Sequence, residues 1–423
     1  MPNFKKTILD NGLTILTIPQ KEALDATALV LVKAGSKYET KNINGISHFL
    51  EHMCFKGTKK RPTAFDISSE LESLGAQINA FTAQEYTGYY ARVEKSKFDH
   101  ALEIVSDLFL NPIFKEEEIQ KEKGPVIEEI NMYEDDPQRK ITDLFPSLLY
   151  GDQPAGWTIS GDKATISGLK REEVINYRKE HYVAKSTIVV VSGGFEEDKI
   201  IKDISNYFVE VSVGEKSDKL PVHESQDKPG LLLVPKDSAQ THLVLGFRAY
   251  GRADERKYAL QILSAILGGG MSSRLFQRVR DKMGAAYYIA ASPDTYTDHG
   301  YLGIYCGVNH DKLKSVITAI IEECKKTIEE MITDEEMERA KNQVRSSVVL
   351  GLTHSMTWAL FYGMQDVLGD KIETPEEVLS KFNKVTKEEV LAIARDIFQD
   401  AKMNLALIGP DKDEEEFRKL IAF

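Results

Sequence analysis

Three residues within the stretch 45–57 have the types and the spacing needed to hold a metal ion and to activate water. His48 and His52 stand four positions apart, so on a helix their Cβ atoms lie about 5–6 Å from each other and both imidazoles reach one ion. Neutral imidazole suits Zn²⁺, which holds nitrogen ligands at roughly 2.0–2.1 Å. Glu51 shares their side of the helix, where it is placed to take a proton from zinc-bound water. The chemistry that this stretch indicates is metal-assisted hydrolysis.

The helix that must position these residues has an apolar face on its opposite side. That face consists of Ile46, Phe49, Leu50 and Met53. It is the stripe expected of a helix that packs against a core. Asn44 is expected to cap the start of the helix and Gly57 to end it. The string His-x-x-Glu-His is the inverted form of the zinc-peptidase motif. Its three fixed positions also occur together by chance, so the alternative is an amphipathic helix whose polar face happens to carry two histidines and a glutamate.

A catalytic zinc ion commonly takes three protein ligands and leaves one position for water. The acid-rich segment 122–137 is the best source of the third ligand. Glu128 and Glu129 are adjacent there, so the phase of the helix must decide between them. With Val126 and Ile130 on the buried side, Glu129 lies at the edge of that side and Glu128 points to solvent. Glu129 is therefore the expected ligand.

Glu122 is a second candidate acid in the same segment. It lies two turns before Glu129 and on nearly the same face, provided that the helix is continuous. Pro125 stands between them, and an interior proline either kinks a helix or starts one. The sequence therefore leaves the position of Glu122 open, and solvated charge is the ordinary interpretation of a single glutamate in so acidic a stretch. The metal is open as well, because histidine and carboxylate sites also accept Mn²⁺ or Co²⁺.

Length and composition restrict the class of protein. A chain of 423 residues is too long for one ordinary core and predicts two domains. The net charge of −12 argues against nucleic acid or an anionic membrane as a partner. The sequence contains no apolar run typical of a signal peptide or a membrane span. Its three scattered cysteines fit a reduced compartment better than a disulfide scaffold, so a cytoplasmic location is expected.

The second half of the chain repeats the pattern of the first. Met283-Gly284-Ala285 echoes Leu74-Gly75-Ala76, and residues 258–267 take the place of the motif helix without its metal-binding side chains. The sequence thus predicts an α+β protein of two homologous domains, each a mostly antiparallel sheet flanked by helices. The predicted divisions are a catalytic zinc-binding domain at 1–213, a linker at 214–230, and a domain without metal ligands at 231–423. A coincidental rhythm of helices and strands is the alternative.

These motifs together resemble the pitrilysin and mitochondrial-processing-peptidase superfamily of inverted-motif zinc peptidases, family M16, and in particular its short two-domain members. The resemblance covers nearly the whole chain, from Asp10-Asn-Gly-Leu13 into the C-terminal repeat. It rests on His48-x-x-Glu51-His52 with Glu129 downstream, on Asn79-Ala-Phe-Thr82, on Gly268-Gly-Gly-Met-Ser-Ser-Arg274-Leu-Phe-Gln277 and on Arg280-Asp-Lys-Met-Gly-Ala-Ala-Tyr287.

The resemblance implies a zinc-dependent metalloendopeptidase that acts on unfolded peptides or presequence-like segments. It implies one zinc ion per subunit. The implied ligands are His48, His52 and Glu129. Glu51 would be the general base, and Glu122 would be a supporting acid.

The resemblance also implies roles for residues outside the metal cluster. Arg280 and Tyr287 would bind the substrate backbone and steady the tetrahedral intermediate, while Asn79 and Ala80 would lie on the edge strand that pairs with the peptide. A two-domain chain would be half of a clamshell. We therefore expect a homodimer in which Arg280 and Tyr287 of one subunit complete the zinc site of the other.

Two other functions stay open at this point. The first is a non-catalytic core-type subunit or scaffold that partners another peptidase chain, although such subunits typically lose part of the zinc motif. The second is a zinc hydrolase that acts on a non-peptide ester or amide, which no feature of the sequence favours.

Overall fold

The computed structural model describes residues 2–215 and 217–422. Positions 1, 216 and 423, which fall in the predicted domains and linker, lie outside the described residues. The strands are β1 Lys5–Ile8, β2 Thr14–Pro19, β3 Asp25–Val32, β4 Gln77–Thr82, β5 Thr87–Glu94, β6 Thr187–Gly193, β7 Gly230–Pro235, β8 Thr241–Ala249, β9 Ala286–Thr295, β10 Gly300–Val308 and β11 Met403–Gly409. The α-helices are α1 Ile46–Cys54, α2 Ala64–Ser73, α3 Phe98–Leu110, α4 Glu116–Asp135, α5 Pro137–Tyr150, α6 Lys163–Gly168, α7 Arg171–His181, α8 Glu197–Tyr207, α9 Lys257–Gly268, α10 Leu313–Glu329, α11 Asp334–Gly351, α12 Ser355–Val367, α13 Pro375–Lys384, α14 Lys387–Ile397 and α15 Glu414–Leu420. Among the described residues, none of these helices combines the length and the apolar character that crossing a membrane requires.

The described residues form two compact units, and neither unit is one continuous stretch of the chain. Of the described residues, the first unit contains 2–130, 157–215, 217–220 and 350–374, and the second contains 131–156, 221–349 and 375–422. Each unit therefore includes a segment from the other half of the chain. The boundaries 1–213, 214–230 and 231–423, which describe the order of the two repeats along the sequence, stay a prediction.

The first unit is built on a six-stranded sheet with the strand order β1-β2-β6-β3-β5-β4. All neighbours are antiparallel except β2 and β6, which run parallel. One face packs on α1, α2 and α3, and on the other face Leu29 and Leu31 pack with α12. Because helices cover both faces, the central strand β3 is an almost uninterrupted buried run from Ala26 to Val32.

The second unit repeats this arrangement. Its five-stranded sheet has the order β7-β11-β8-β10-β9, again with one parallel pair, β7 and β11. One face packs on α9, α10 and α14, and the other packs on α5. The strand order and directions match those of β2-β6-β3-β5-β4 in the first unit. Two mostly antiparallel sheets flanked by helices confirm the predicted fold class.

Helices α5 and α12 cover equivalent faces of the two sheets. Each helix comes from the half of the sequence that does not supply the strands it covers. Helix α12 lies on β2, β3 and β6, and helix α5 lies on β7, β8 and β11. At the start of α12, the hydroxyls of Ser355 and Thr27 form a buried hydrogen bond of 2.7 Å. A Cβ on Gly363 would come within 2.9 Å of Leu31 and Val190 side chains, so α12 approaches the sheet closely through this glycine.

Helix α1, which carries the motif, begins one residue later than expected. Its N-cap is Gly45 in a left-handed conformation with φ 96°, and a Cβ there would lie 2.6 Å from the carbonyl oxygen of Ser160. Asn44 is not the cap: its side-chain amide donates to the Thr158 carbonyl at 3.1 Å and to Glu39 at 2.8 Å. The cap prediction was wrong because the capping position must both turn left-handed and lie against the loop 157–161.

Candidate metal centre

The polar face of α1 presents its two histidines and Glu51 together. The four apolar residues predicted for the opposite face are at most 1% exposed, so the packing of that face fixes the rotation of the helix. His48 and His52 lie side by side with their ring centroids 4.6 Å apart. Both rings are therefore available to a single ion on the side of the helix that faces away from the core.

Glu129 reaches both histidines from α4. Its Oε2 lies 3.6 Å from Nε2 of His48 and 3.6 Å from Nε2 of His52. All three potential ligand atoms lie within 4.8 Å of one another. Donors held roughly 2.0–2.1 Å from one ion at tetrahedral angles are about 3.4 Å apart, so the spacing and the chemistry of this set fit zinc. The neighbouring Glu128 is exposed to solvent.

The surroundings affect the two imidazoles in opposite ways. Burial, reinforced by the charge on His52, lowers the pKa of His48 to about 4, so this ring is neutral, as metal binding requires. Burial also lowers the pKa of His52, but its hydrogen bond to Glu122 and the charges of nearby carboxylates outweigh this and raise it. The carboxylates that raise the pKa of His52 would also attract a divalent cation.

Glu122 lies behind His52 rather than among the ligand atoms. Its Oε1 is 2.9 Å from Nδ1 of His52, and its Oε2 is 2.5 Å from Nζ of Lys56. Helix α4 runs without a break through Pro125, so Glu122 and Glu129 share a face. Burial alone would raise the pKa of Glu122, but the hydrogen bonds with His52 and Lys56 outweigh it and lower the pKa. A carboxylate that accepts a hydrogen bond from Nδ1–H leaves Nε2 of His52 free to bind a metal.

Glu51 is held by a contact that the sequence did not indicate. Its Oε2 accepts a hydrogen bond of 2.5 Å from the hydroxyl of Thr82, the last residue of β4. Burial raises the pKa of Glu51, and the hydrogen bond from Thr82 opposes that change. Side chains alternate along a strand, which puts Thr82 on the same face as Ala80, the face that packs toward α1.

Asn79 and Ala80 lie on β4, which is an edge strand of the first sheet. Asn79 is exposed, and its side-chain oxygen accepts a hydrogen bond of 2.9 Å from the N–H of Ala80. An edge strand presents backbone donors and acceptors to any extended chain that lies beside it. This strand ends at the residue that holds Glu51, so the edge and the metal cluster belong to one surface of the first unit.

Arg280 and Tyr287 belong to the second unit. Arg280 is exposed in a π-helical segment, Phe276–Lys282, with its guanidinium carbon 4.9 Å from the centroid of the Phe276 ring. Segments of π-helix occur frequently at functional sites. Tyr287 lies on the edge strand β9 at a shift in its register with β10, and its side chain is 75% exposed. Both side chains are accessible.

A second group of potential ligands in the first unit comprises Glu70, His100 and Glu103. Arg61 already bonds Glu70 at 2.6 Å and Glu103 at 2.5 Å, and Lys60 bonds Glu103 at 2.5 Å. The hydrogen bond from Arg61 is the main reason that the pKa of Glu70 falls to about 2. The positively charged side chains of Arg61 and Lys60 neutralise these carboxylates, so we assign no metal site to them.

Comparison with known proteins shows the family to which the chain belongs. Residues 14–163 match the family model described as Insulinase (Peptidase family M16), and residues 168–344 match the model described as Peptidase M16 inactive domain. The chain is 38% identical to an uncharacterized zinc protease of Rickettsia felis over 411 residues, which cover 97% of this chain and 98% of that protein. It is 35% identical to the uncharacterized zinc protease YmxG of Bacillus subtilis over 406 residues, which cover 96% of this chain and 98% of that protein.

Solved structures share the fold. A protease from Helicobacter pylori aligns with a TM-score of 0.89 over 97% of this chain and 100% of its own, at 23% identity. A putative M16-like peptidase from Alicyclobacillus acidocaldarius aligns with a TM-score of 0.85 over 96% of this chain and 98% of its own, at 20% identity. The sequence relatives match over nearly the full length, so the predicted resemblance is confirmed. The chain belongs to the insulinase family, peptidase family M16, as one of its short two-domain members, and its relatives are named zinc proteases.

Proposed function

We propose that the protein is a zinc-dependent endopeptidase that hydrolyses unfolded peptides or presequence-like segments. The observation that carries this proposal is the convergence of His48, His52 and Glu129 within 4.8 Å of one another, beside the partly buried carboxylate of Glu51. We propose that these three residues hold one zinc ion per chain. When bound, the ion would polarise a peptide carbonyl and lower the pKa of water toward about 7.

In this proposal the residues of the chain move and position the protons. Glu51 takes a proton from the attacking water and returns it to the leaving amine, which is general base and then general acid catalysis. Glu122 accepts a hydrogen bond from Nδ1–H of His52 and so directs the other ring nitrogen toward the metal position. Lys56 pairs with the second oxygen of Glu122 and holds that carboxylate ionised. Glu122 is thus a supporting residue that acts through His52.

The edge strand β4 supports the proposed substrate class. A peptide that lies along Asn79 and Ala80 would gain main-chain hydrogen bonds, which depend little on side-chain identity. Such pairing requires an extended backbone, so unfolded segments would be cut and folded proteins spared. The net charge of −12 suits basic peptides.

The test of the proposed function is cleavage of a short, unstructured, basic peptide by the purified protein, with and without a metal chelator. We expect cleavage that disappears with the chelator and returns when zinc is added. Metal analysis of the untreated protein should give about one zinc ion per chain. Absence of cleavage by zinc-loaded protein would contradict the proposal and favour a scaffold or partner-subunit role, while cleavage of small esters alone would favour a different hydrolase.

Thr82 should be needed for full activity because its hydroxyl holds the carboxylate of Glu51. Thr82→Val keeps the shape of the side chain and removes the donor, so we expect kcat to fall about tenfold with KM little changed. Thr82→Ser keeps a hydroxyl and should restore most of the rate. Steady-state kinetics on one peptide measures both variants. Equal rates for Thr82→Val and the wild type would show that the contact does not position the base.

We propose further that the active form is a homodimer with composite sites. Arg280 and Tyr287 of one subunit would bind substrate at the zinc site of the other. The exposure of both side chains supports this, because each is accessible to a second chain. Tyr287 would then donate a hydrogen bond to the oxyanion, an interaction made only in the transition state.

Subunit mixing tests the composite site. A Glu51→Gln subunit and a Tyr287→Phe subunit, carrying different tags, are co-expressed and the mixed dimer is isolated through both tags. If the sites form in trans, each mixed dimer has one complete site and about half of the wild-type activity. If each subunit uses its own Tyr287, the mixed dimer stays as inactive as the single variants. Recovery of monomers alone would likewise contradict the proposal.

A further inference from the structure

Glu39 is a fully buried carboxylate that the proposed mechanism does not use. Its side chain lies ahead of α1, and the residue is 3% exposed. One carboxylate oxygen accepts hydrogen bonds from the N–H of Gly45 at 2.7 Å and from the side-chain amide of Asn44 at 2.8 Å. The other oxygen accepts from the N–H of Ser47 at 2.8 Å. Burial raises the pKa of Glu39 to about 7, although these donors oppose the change.

These contacts replace a cap that α1 lacks. The first N–H groups of a helix have no partner inside the helix, and the side chain of the N-cap residue usually accepts from one of them. The N-cap of α1 is Gly45, which has no side chain to offer. Glu39 accepts from two of the first backbone N–H groups instead. A negative charge in this position also interacts favourably with the helix dipole.

The same residues connect the start of α1 to its surroundings. The hydroxyl of Ser47 is hydrogen-bonded to the hydroxyl of Tyr177 on α7 at 2.7 Å. The amide of Asn44 also donates to the carbonyl of Thr158 at 3.1 Å. Glu39 therefore lies at the centre of a buried network that fixes where α1 begins, and His48 is the next residue after Ser47.

We propose that Glu39 is a positioning residue for the metal centre: by fixing the first turn of α1 it sets where His48 stands relative to His52 and Glu129. The inference rests on the proposed function only in that these three residues hold the metal. A helix start that is free to fray would let His48 move independently of Glu129 on α4. Metal affinity, which depends on all three donors meeting at one point, would fall.

The test compares zinc binding by the wild type and by Glu39→Gln. Glutamine preserves size and burial, but its NH₂ group must face backbone N–H donors where a carboxylate oxygen stood. We expect zinc affinity about tenfold weaker, as for other groups that orient metal ligands from outside the coordination sphere. The measurement is competition with a chromophoric chelator at about pH 8, where Glu39 is mostly ionised. In the Co²⁺-substituted protein, the visible d–d bands should shift in position and intensity because the ligand geometry is less well fixed.

Asp107→Asn is a matched control. Asp107 is also 3% exposed, and its carboxylate bonds Thr58, Arg61 and Asn111, none of which lies on α1. This variant should lower the thermal stability but leave zinc affinity and the cobalt spectrum at wild-type values. A merely structural role for Glu39 would give the same pattern in Glu39→Gln, and that result would overturn the proposal.

Two further measurements decide between the proposal and its alternatives if Glu39→Gln does not fold or if the wild type does not bind zinc. If Glu39→Gln is recovered only as insoluble protein, Glu39→Asp is measured in the same way, since it keeps the charge but withdraws it by one methylene group. Wild-type affinity in that variant would equally overturn the proposal, and weakened affinity would support it. Failure of the wild type itself to bind zinc would contradict the proposed function, whereas zinc-binding wild type with an unaffected Glu39→Gln contradicts only the role of Glu39.

Discussion

Replacement of Glu51 by glutamine should abolish peptide hydrolysis while zinc remains bound. Glutamine has nearly the same shape, and its amide oxygen still accepts the hydrogen bond that Thr82 donates. It cannot accept a proton from water, however, and a positioned general base contributes about 10²–10⁴-fold to rate. We expect kcat/KM on an unstructured peptide to fall by at least about a thousandfold. Because Glu51 is not a ligand in the proposal, the zinc content should stay at the wild-type value.

The zinc content is the control that distinguishes loss of the general base from loss of the metal. Loss of both activity and zinc would place Glu51 among the groups that hold the metal, contrary to the assigned role. Cleavage that persists in Glu51→Gln would indicate a contaminating peptidase or a different base. A preparation that retains zinc, melts like the wild type and does not cleave is the expected outcome.

The second large effect concerns two adjacent carboxylates with opposite surroundings. Glu129 faces both histidines, with its Oε2 3.6 Å from each Nε2, whereas Glu128 is exposed to solvent. Glu129→Gln should weaken zinc binding by more than about a hundredfold, which exceeds the cost of losing a group that only orients a ligand. Glu128→Gln makes the same chemical change one residue away and should leave affinity and activity unchanged.

Zinc affinity of both variants is measured by chelator competition, together with cleavage at saturating zinc. Equal affinities in the two variants would remove Glu129 from the ligand set. Weakened binding in Glu128→Gln alone would mean that the phase assigned to α4 is reversed. The comparison is sensitive because the two substitutions have the same effect on net charge and differ only in which side of the helix they modify.

The candidate centre could be anticipated from sequence because its members lie on two regular helices. The period of 3.6 residues puts His48, Glu51 and His52 on one face of α1, and the same period favours Glu129 over Glu128 once the apolar residues of α4 are identified. Pro125 made the continuity of α4 uncertain. The helix continues through it because Ile119, Val126 and Ile130 form one buried stripe, and such packing outweighs a missing hydrogen bond.

Other features have no periodic signal and were not foreseen. Thr82 was visible as part of a motif, but its contact with Glu51 joins a strand to a helix, and only the fold brings them together. Glu39 is a single glutamate outside any regular element. The prediction that Asn44 caps α1 assigned the capping role to the wrong side chain. An amphipathic pattern shows that α5 and α12 each bury one face, but it does not show which sheet receives it.

The origin of α12 has a consequence for how the chain matures. The outer face of the first sheet, with Leu29, Leu31 and Val190, is covered by a helix whose first residue bonds Thr27 across 328 positions of sequence. Contacts between such distant positions form slowly, because a long loop must close before they stabilise anything. During translation, this apolar face stays exposed to solvent until Ser355–Val367 has left the ribosome. Nascent chains in that state are prone to aggregate and are commonly bound by chaperones. The unit that holds the candidate metal centre can therefore complete its fold only after α12, more than 300 residues beyond Thr27, has been synthesised.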